Sequence, residues 1–323
     1  MVVRQTLRHD GVNVFRFFGI IRAMKKIAVL MGGRSSEREV SLASGRNVAE
    51  ALSSLGKYEV LPIDLKDESL GALPEGVDAA YIALHGGWGE NGGVQAALNA
   101  RRIPYTGPGV QASQIAMDKV KTKMVLEMNS IPTAAWGLAN RDTPKSPLPL
   151  PVVVKPPCDG SSVGISKVAS ADGWARARDL AFAAGGGGED AVVLVEEFIP
   201  GREFTVGVID GEALPVIEIV AKGGWYGYHE KYDSEETRYP FLEDEALSGK
   251  LRKIAVDAYK AVGCRGVTRV DFRVSPLGRP YVLELNTSPG FTSHSLVPKA
   301  GMKTGLTLAE VCDRILASAE YDR

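Results

Sequence analysis

Cysteine is scarce. Cys158, Cys264 and Cys312 are the three in the chain, odd in number and far apart, which argues against a disulfide framework or a paired-cysteine metal site and suits a reducing cytoplasm. An excess of one charge is missing too: 38 lysines and arginines stand against 39 acids, a formal net charge of −1. No Lys/Arg block offers a polyanion track, so no nucleic-acid partner is expected and any phosphate recognition must be local. No apolar run approaches the roughly 20 residues of a membrane span, so no membrane partner is expected either. No Walker A pattern is present, which removes one of the commonest phosphate-binding loops. Internal repeats are absent, and the glycine run "GGGGED" at 185–190 is a connector rather than a disordered tract.

What remains is an enzyme-sized chain of 323 residues, 45% hydrophobic and 24% charged, long enough for two or three domains. The first 23 residues are basic and weakly apolar, but Arg16 interrupts the apolar run and no small-residue cleavage site precedes the core. "MKKIAVLMGG" from Met24 looks like a protein start, so 1–23 is expected to be an extension outside the fold.

From there strands and helices alternate. "KKIAVLM" is a short apolar strand, "GGRSS" a turn with capping serines, and "EREVSLASGRNVAEALSSL" has helical apolar spacing. "DAAYIALHG" repeats the strand, a glycine-rich loop follows, and "VQAALNAR" is a helix. Residues 24–118 therefore predict an open, mostly parallel α/β sheet, whose ligands gather at loops after the strands. Those loops hold Glu37 and His85. A helix "MDKVKTKMVLEMNS", a polar stretch "IPTAAWGL", and strands in "LPVVVKPP", "AVVLVEEFI", "REFTVGVI" and "ALPVIEIV" come next, followed by a long helix in "DEALSGKLRKIAVDAYKAVG".

The last strands carry the chemistry. "GVTRVDFRVSPLGRPYVLELN" is a hairpin turning at "SPLGRP". Side chains alternate across a strand, so Arg269 and Asp271 share one face, and Glu284 and Asn286 share one face of the next strand. Antiparallel pairing can cluster Asp271, Glu284 and Asn286, a hard-oxygen set lacking His and Cys that suits Mg²⁺. Any one of these carboxylates could simply face solvent on an amphipathic sheet; three donors with Arg269 beside them favour a site. Charge developing on a transferring phosphoryl or acyl group would need that arginine. For the phosphates, Lys155 ends a strand before a Gly/Ser loop whose N–H groups can wrap an anion, and Lys119 is a second cation. Cys158, in the same loop, lacks a visible activating base and is taken as incidental.

Eight blocks in chain order, "GGRSSEREVSLASG", "ALHGGWGENG", "YTGPGVQASQIAMDK", "VVKPPCDGSSVGISK", "VEEFIPGREFTV", "HEKYDSEET", "GVTRVDF" and "LELNTSPGFTSHSLVPKA", resemble the D-alanine–D-alanine ligases of the ATP-grasp superfamily. The resemblance runs from Met24 to the C-terminal helix. It implies an α/β substrate domain at 24–118, a central ATP-grasp domain at 119–202 and a C-terminal ATP-grasp domain with the metal site at 203–323. It implies ATP-dependent joining of two D-alanines through a D-alanyl phosphate, for peptidoglycan precursors, in a cytoplasmic homodimer. Carried over, Glu37 lies beside the first D-alanine's ammonium, and Ser161 and Tyr232 bond with it to close the loop over the reactants. Lys119 and Lys155 hold phosphate oxygens, Glu196 faces the adenine side, and Glu203 accepts from the ribose. Some family members carry lysine where Glu197 stands. Asp271, Glu284 and Asn286 match a two-Mg²⁺ site that Mn²⁺ could also fill. Arg269 and the Gly290 N–H stabilise the tetrahedral oxyanion, while Lys231, Ser295 and Leu296 line the second substrate site and His85 is a further substrate-site candidate. Relatives that make D-alanyl-D-lactate carry Phe at the Tyr232 position. That ester ligase, another ATP-grasp ligase and a silent nucleotide binder are the alternatives.

Overall fold

The computed structural model describes residues 24–158, 160, 163–185, 191–221 and 236–322; the segment 1–23 lies outside them. Strands β1 (Lys25–Gly32), β2 (Tyr58–Leu65) and β3 (Ala79–Ile82) form a parallel sheet in the order β2-β1-β3. The central β1 is buried from Ile27 to Met31, as a parallel strand covered on both faces must be. Its even residues, Ala28 and Leu30, meet Leu65, Leu84, Val94 and Leu98. Its odd ones, Ile27 and Val29, meet Val48 and Leu52 of helix α1 (Arg38–Ser54). β2 is an addition to the sequence-based pattern, and it carries Pro62 in its middle. It is tolerated because β2 is an edge strand, where a missing ladder donor faces outward.

Helix α2 (Gly93–Ala100) matches its expected span. The helix expected in "MDKVKTKMVLEMNS" forms from Lys119 onward, and an additional helix precedes it. Helix α3 (Val110–Met117) ends at Asp118, whose backbone is extended and whose carboxylate accepts from the N–H groups of Val120 at 3.0 Å and Lys121 at 3.2 Å. Asp118 thus caps the new helix α4 (Lys119–Met128), and Lys119 becomes its first residue.

A four-stranded antiparallel sheet follows, β4 (Trp136–Ala139), β5 (Val152–Lys155), β6 (Ser166–Val168) and β7 (Val193–Glu197), in the order β4-β7-β5-β6. Here "IPTAAWGL", expected as a connector, supplies β4. Helix α5 (Trp174–Gly185) covers this sheet through Trp174, Ala181 and Phe182. The third sheet runs β10-β8-β11-β12, from β8 (Arg202–Ile209), β10 (Ile217–Ile219), β11 (Val267–Val274) and β12 (Pro280–Asn286), with the two-residue β9 (Glu212–Ala213) beside β8. Helix α6 (Glu245–Val262), capped by Asp244 and stopped at the left-handed Gly263, packs on it through Leu251, Ala255 and Ala258. Leu126 and Ile131 join that same core with Phe204, Val270 and Phe272.

The chain returns to its beginning. Helices α7 (Leu296–Lys303) and α8 (Leu308–Ala317) place Val311, Ile315 and Leu316 in the core under α1. Asp313 accepts from the Tyr58 hydroxyl and Lys57, each at 2.7 Å. Glu320 exchanges backbone bonds with Tyr105, which extends the first sheet. Asp322 then accepts from the Val110 N–H at the start of α3 and pairs with Arg265.

Candidate active site

The hairpin pairs as its alternation requires. Asp271 stands opposite Glu284 and Arg269 opposite Asn286, with a bulge one step further on. The Asp271 carboxylate is buried and takes four donors. Thr205 donates to Oδ1 at 2.6 Å, Arg269 grips both oxygens through Nε at 2.9 Å and Nη2 at 2.8 Å, and Asn286 donates to Oδ2 at 3.0 Å. Such a fork fixes the guanidinium plane as well as its charge. Thr205 comes from β8, opposite Asp271 in register, and sequence reasoning missed it because its hydroxyl sits in an unbroken apolar strand.

Arg269, Glu284 and Asn286 border a cleft of about 900 Å³ lined also by Glu37, His85, Lys119, Gly160, Gly290, Ser295 and Leu296. Glu37 is the N-cap residue of α1, and its carboxylate approaches both glycine loops: a Cβ built on Gly86 would meet Glu37 Oε2 at 2.7 Å, and one on Gly160 at 3.7 Å. Gly86 has φ 66°, so both its backbone and the acid demand glycine. Ser161, Lys231 and Tyr232 lie outside the described residues. His85 is buried between α1 and the segment after β12, with Nδ1 3.0 Å from the Ser288 carbonyl, Nε2 3.0 Å from the Ser44 hydroxyl and Glu90 3.8 Å from Nδ1. Ser295 Oγ accepts from the Thr292 N–H at 2.9 Å at the start of α7.

Lys119 Nζ lies 4.0 Å from Glu284, and its backbone N–H holds the Pro157 carbonyl at 2.9 Å, tying α4 to the loop after β5. Lys155, Lys123 and Glu196 form a separate buried group: the Glu196 carboxylate is 2% exposed and takes one lysine on each oxygen. Lys123 also donates to Thr133 Oγ1 at 2.6 Å. Glu196 therefore points at two ammonium groups in this structure. Burial works against its charge, but the attraction and hydrogen bonds of both lysines win and hold its carboxyl down to about 2. For Lys155, burial is likewise overcome by Glu196 and its value is raised, whereas burial prevails for Lys123 and lowers it. The sequence could not reveal Lys123: its partner stands in another strand, and "KVKTK" reads as a solvated face. Glu203 pairs with Arg273 at 3.2 Å across β8 and β11.

The Glu196 group makes acid lability measurable. Its folded value lies below the ordinary 4.5, so its stabilisation is present above pH 4.5 and is lost as pH falls from 4.5 towards 2. Unfolding by urea across that interval is expected to show the loss, and Glu196→Gln to show a smaller change from a lower starting stability. Equal pH slopes in the two proteins would refute it.

Among the described residues, no group of three or more His, Cys, Asp or Glu side chains is placed to hold a metal ion. A cation at the hairpin would take Asp271 and Glu284, the Asn286 amide oxygen and non-protein oxygens. Such an all-oxygen set fits Mg²⁺, which keeps waters and substrate phosphates in its shell.

A parallel α/β unit followed by two antiparallel sheets, the first bearing lysines and the second a carboxylate, amide and arginine cluster, is the ATP-grasp ligase fold. Family models described as D-ala D-ala ligase N-terminus and C-terminus match residues 26–70 and 118–317. The D-alanine–D-alanine ligase of Syntrophotalea carbinolica is 47% identical over 300 residues, spanning 91% of this chain and 96% of that protein. That of Bordetella avium is 46% identical over 305 residues, with 91% and 94% covered. The chain belongs to the D-alanine–D-alanine ligase family. The D-alanine–D-alanine ligase of Bacillus anthracis, solved in complex with ATP, aligns with a TM-score of 0.78 at 32% identity over 91% of this chain and 97% of that one. The VanG D-Ala:D-Ser ligase of Enterococcus faecalis aligns equally well at 28% identity over 91% and 99%.

Proposed function

We propose that the protein joins two D-alanine molecules into D-alanyl-D-alanine at the expense of ATP, supplying a peptidoglycan precursor. The observation that carries this reading is the convergence of Glu37, His85, Arg269, Asn286 and Gly290 on one cleft, in a chain whose similarity to D-alanine–D-alanine ligases spans nine-tenths of its length. A carboxylate is a poor electrophile, so the γ-phosphoryl of ATP first transfers to a carboxylate oxygen of one D-alanine. The amine of the second then attacks the acyl carbon, and phosphate leaves with the C–O bond electrons.

The protein's part is positioning and charge neutralisation. Glu37 receives the first ammonium, and direct pairing outweighs the helix N-terminus beside it. Lys119 and Lys155 hold phosphate oxygens, Glu203 accepts from the ribose, and Glu196 orders Lys155 beside the adenine side. Arg269 and the Gly290 N–H stabilise the tetrahedral oxyanion, and Ser295, Leu296 and Lys231 seat the second substrate. Asp271, Glu284 and Asn286 would hold two Mg²⁺ ions, or Mn²⁺, which when bound neutralise phosphate charge.

We place the domain limits at 24–118, 119–202 and 203–323. The three sheets support this division, with β8 starting one residue earlier, at Arg202; the packing of Leu126 and Ile131 under the third sheet crosses the second limit. A cytoplasmic homodimer completes the proposal.

The test is phosphate release from ATP and Mg²⁺ with D-alanine, L-alanine, or D-alanine plus D-lactate, with product masses recorded. Release that depends on D-alanine and yields D-alanyl-D-alanine supports the proposal, whereas a folded, ATP-binding protein without it overturns it. Tyr232 sets acceptor choice in this reading. Tyr232→Phe is expected to raise D-lactate use relative to D-alanine, and an unchanged ester-to-peptide ratio would remove that role.

A further inference from the structure

Ser44 is buried completely on α1, one turn after Ser41. The role of Ser41 is structural. It accepts from the Gly32 N–H at 2.8 Å and donates to the Ala83 carbonyl at 2.7 Å, joining α1 to β1 and to the end of β3. Ser44 touches different partners. Its Oγ accepts the Phe291 N–H at 3.0 Å and lies 3.0 Å from His85 Nε2.

The chemistry of these partners fixes the direction of each bond. His85 Nδ1 faces the Ser288 carbonyl, which can only accept, so Nδ1 carries the ring proton. In the neutral ring Nε2 is then an acceptor, and the Ser44 hydroxyl must donate to it. One hydroxyl therefore serves both sides of the cleft: it donates to a side chain of the first sheet's loop and accepts from the backbone of the segment after β12. Asn47, one turn further along α1, holds the other end of the same peptide residue by donating to the Phe291 carbonyl at 2.9 Å. The residue before Phe291 is Gly290, where a Cβ would meet Ser295 Oγ at 2.9 Å, Ser44 Oγ at 3.7 Å and His85 Nε2 at 3.9 Å.

We propose that Ser44 is a positioning residue for the ligation, its hydroxyl holding His85 through Nε2 and the Gly290–Phe291 backbone in one register on the cleft. Ser44 lies behind the cleft wall and touches no reactant. Ser44 fixes the Gly290–Phe291 peptide, and through it limits the rotation at Gly290 of the preceding peptide, whose N–H can serve a developing oxyanion only if it is placed before the reaction, because a donor that must reorient loses its advantage. The kinetic part of this inference rests on the proposed ligation; the hydrogen bond itself does not.

Ser44→Ala removes the hydroxyl, and Ser44→Cys keeps the volume while replacing it with a weak donor. Both variants are expected to lose roughly tenfold or more in kcat, with KM for ATP unchanged within about twofold, the magnitude of a single lost hydrogen bond not reaching the nucleotide. In nitrogen NMR of histidine-labelled protein, the Nε2 resonance of His85 is expected to shift in both variants while Nδ1 stays protonated. Should Ser44→Cys retain wild-type kcat, the residue would be packing and the proposal would fail. An Nε2 resonance identical in wild type and Ser44→Ala would also overturn it. If wild type shows no D-alanine-dependent turnover, the ligation reading fails instead, and the Nε2 comparison still decides whether the bond exists.

Discussion

Glu196→Ala is expected to cost about 3–5 kcal/mol of stability, the range for breaking a buried ion pair by removing one partner. The reason is the geometry around the carboxylate. Lys123 and Lys155 approach it from both oxygens in a site closed to water, so its removal leaves two like charges facing each other with only the more distant Glu127, Glu203 and Glu284 to offset them. One of them must then lose its proton or the strands must part. Thermal and urea unfolding measure the cost directly. A double-mutant cycle with Lys123→Met separates the pairwise interaction from local packing, because the second substitution removes one of the two stranded charges. The double variant is expected to recover part of the loss. A Glu196→Ala protein that unfolds within a degree of wild type would mean that water reaches both lysines, contrary to their burial.

Arg269→Lys is expected to lower D-alanine-dependent phosphate release by roughly 10²–10³-fold, the range for removing one preorganised donor from a charge-stabilising site. Charge is conserved in this exchange and geometry is not. Arg269 reaches both oxygens of Asp271 with a planar fork; lysine offers a single ammonium that cannot keep the carboxylate and its own place beside the reactants at once. The loss is expected in kcat, with KM for ATP nearly unchanged, because the contacts proposed for ATP are made by the lysines and Glu203 rather than by Arg269. A small change in kcat would show that positive charge alone suffices and that Arg269 only orders Asp271.

The legibility of this site followed the range over which each residue's neighbours are set. Arg269 and Asp271 are two apart on one strand, so alternation put them on one face, and the turn at "SPLGRP" delivered Glu284 and Asn286 opposite them. The helix of Glu37 and the loop of His85 were legible for the same reason. Lys123, Thr205 and Ser44 were not. Each is an ordinary residue in a regular element, and its partner arrives from another sheet or strand, 73 residues away for Lys123 and Glu196. Helix α3 went unread before the expected helix, although the boundary between them is written locally, as a capping aspartate at Asp118. β2 was hidden by Pro62, whose cost depends on whether the strand is central or at an edge, and strand order does not show in a one-dimensional pattern.

The closing of the first sheet by the last helix has a consequence for how the chain acquires its structure. β1 and α1, synthesised before the rest of the fold, bury their apolar face against Val311, Ile315 and Leu316, and Tyr105 finds its backbone partner in Glu320. Pairings of such sequence separation are slow to form because the loop entropy is paid before the contacts return it. The N-terminal sheet therefore waits, partly uncovered, until α8 has been made, and the interval between is when this protein is most exposed to aggregation and most dependent on chaperones.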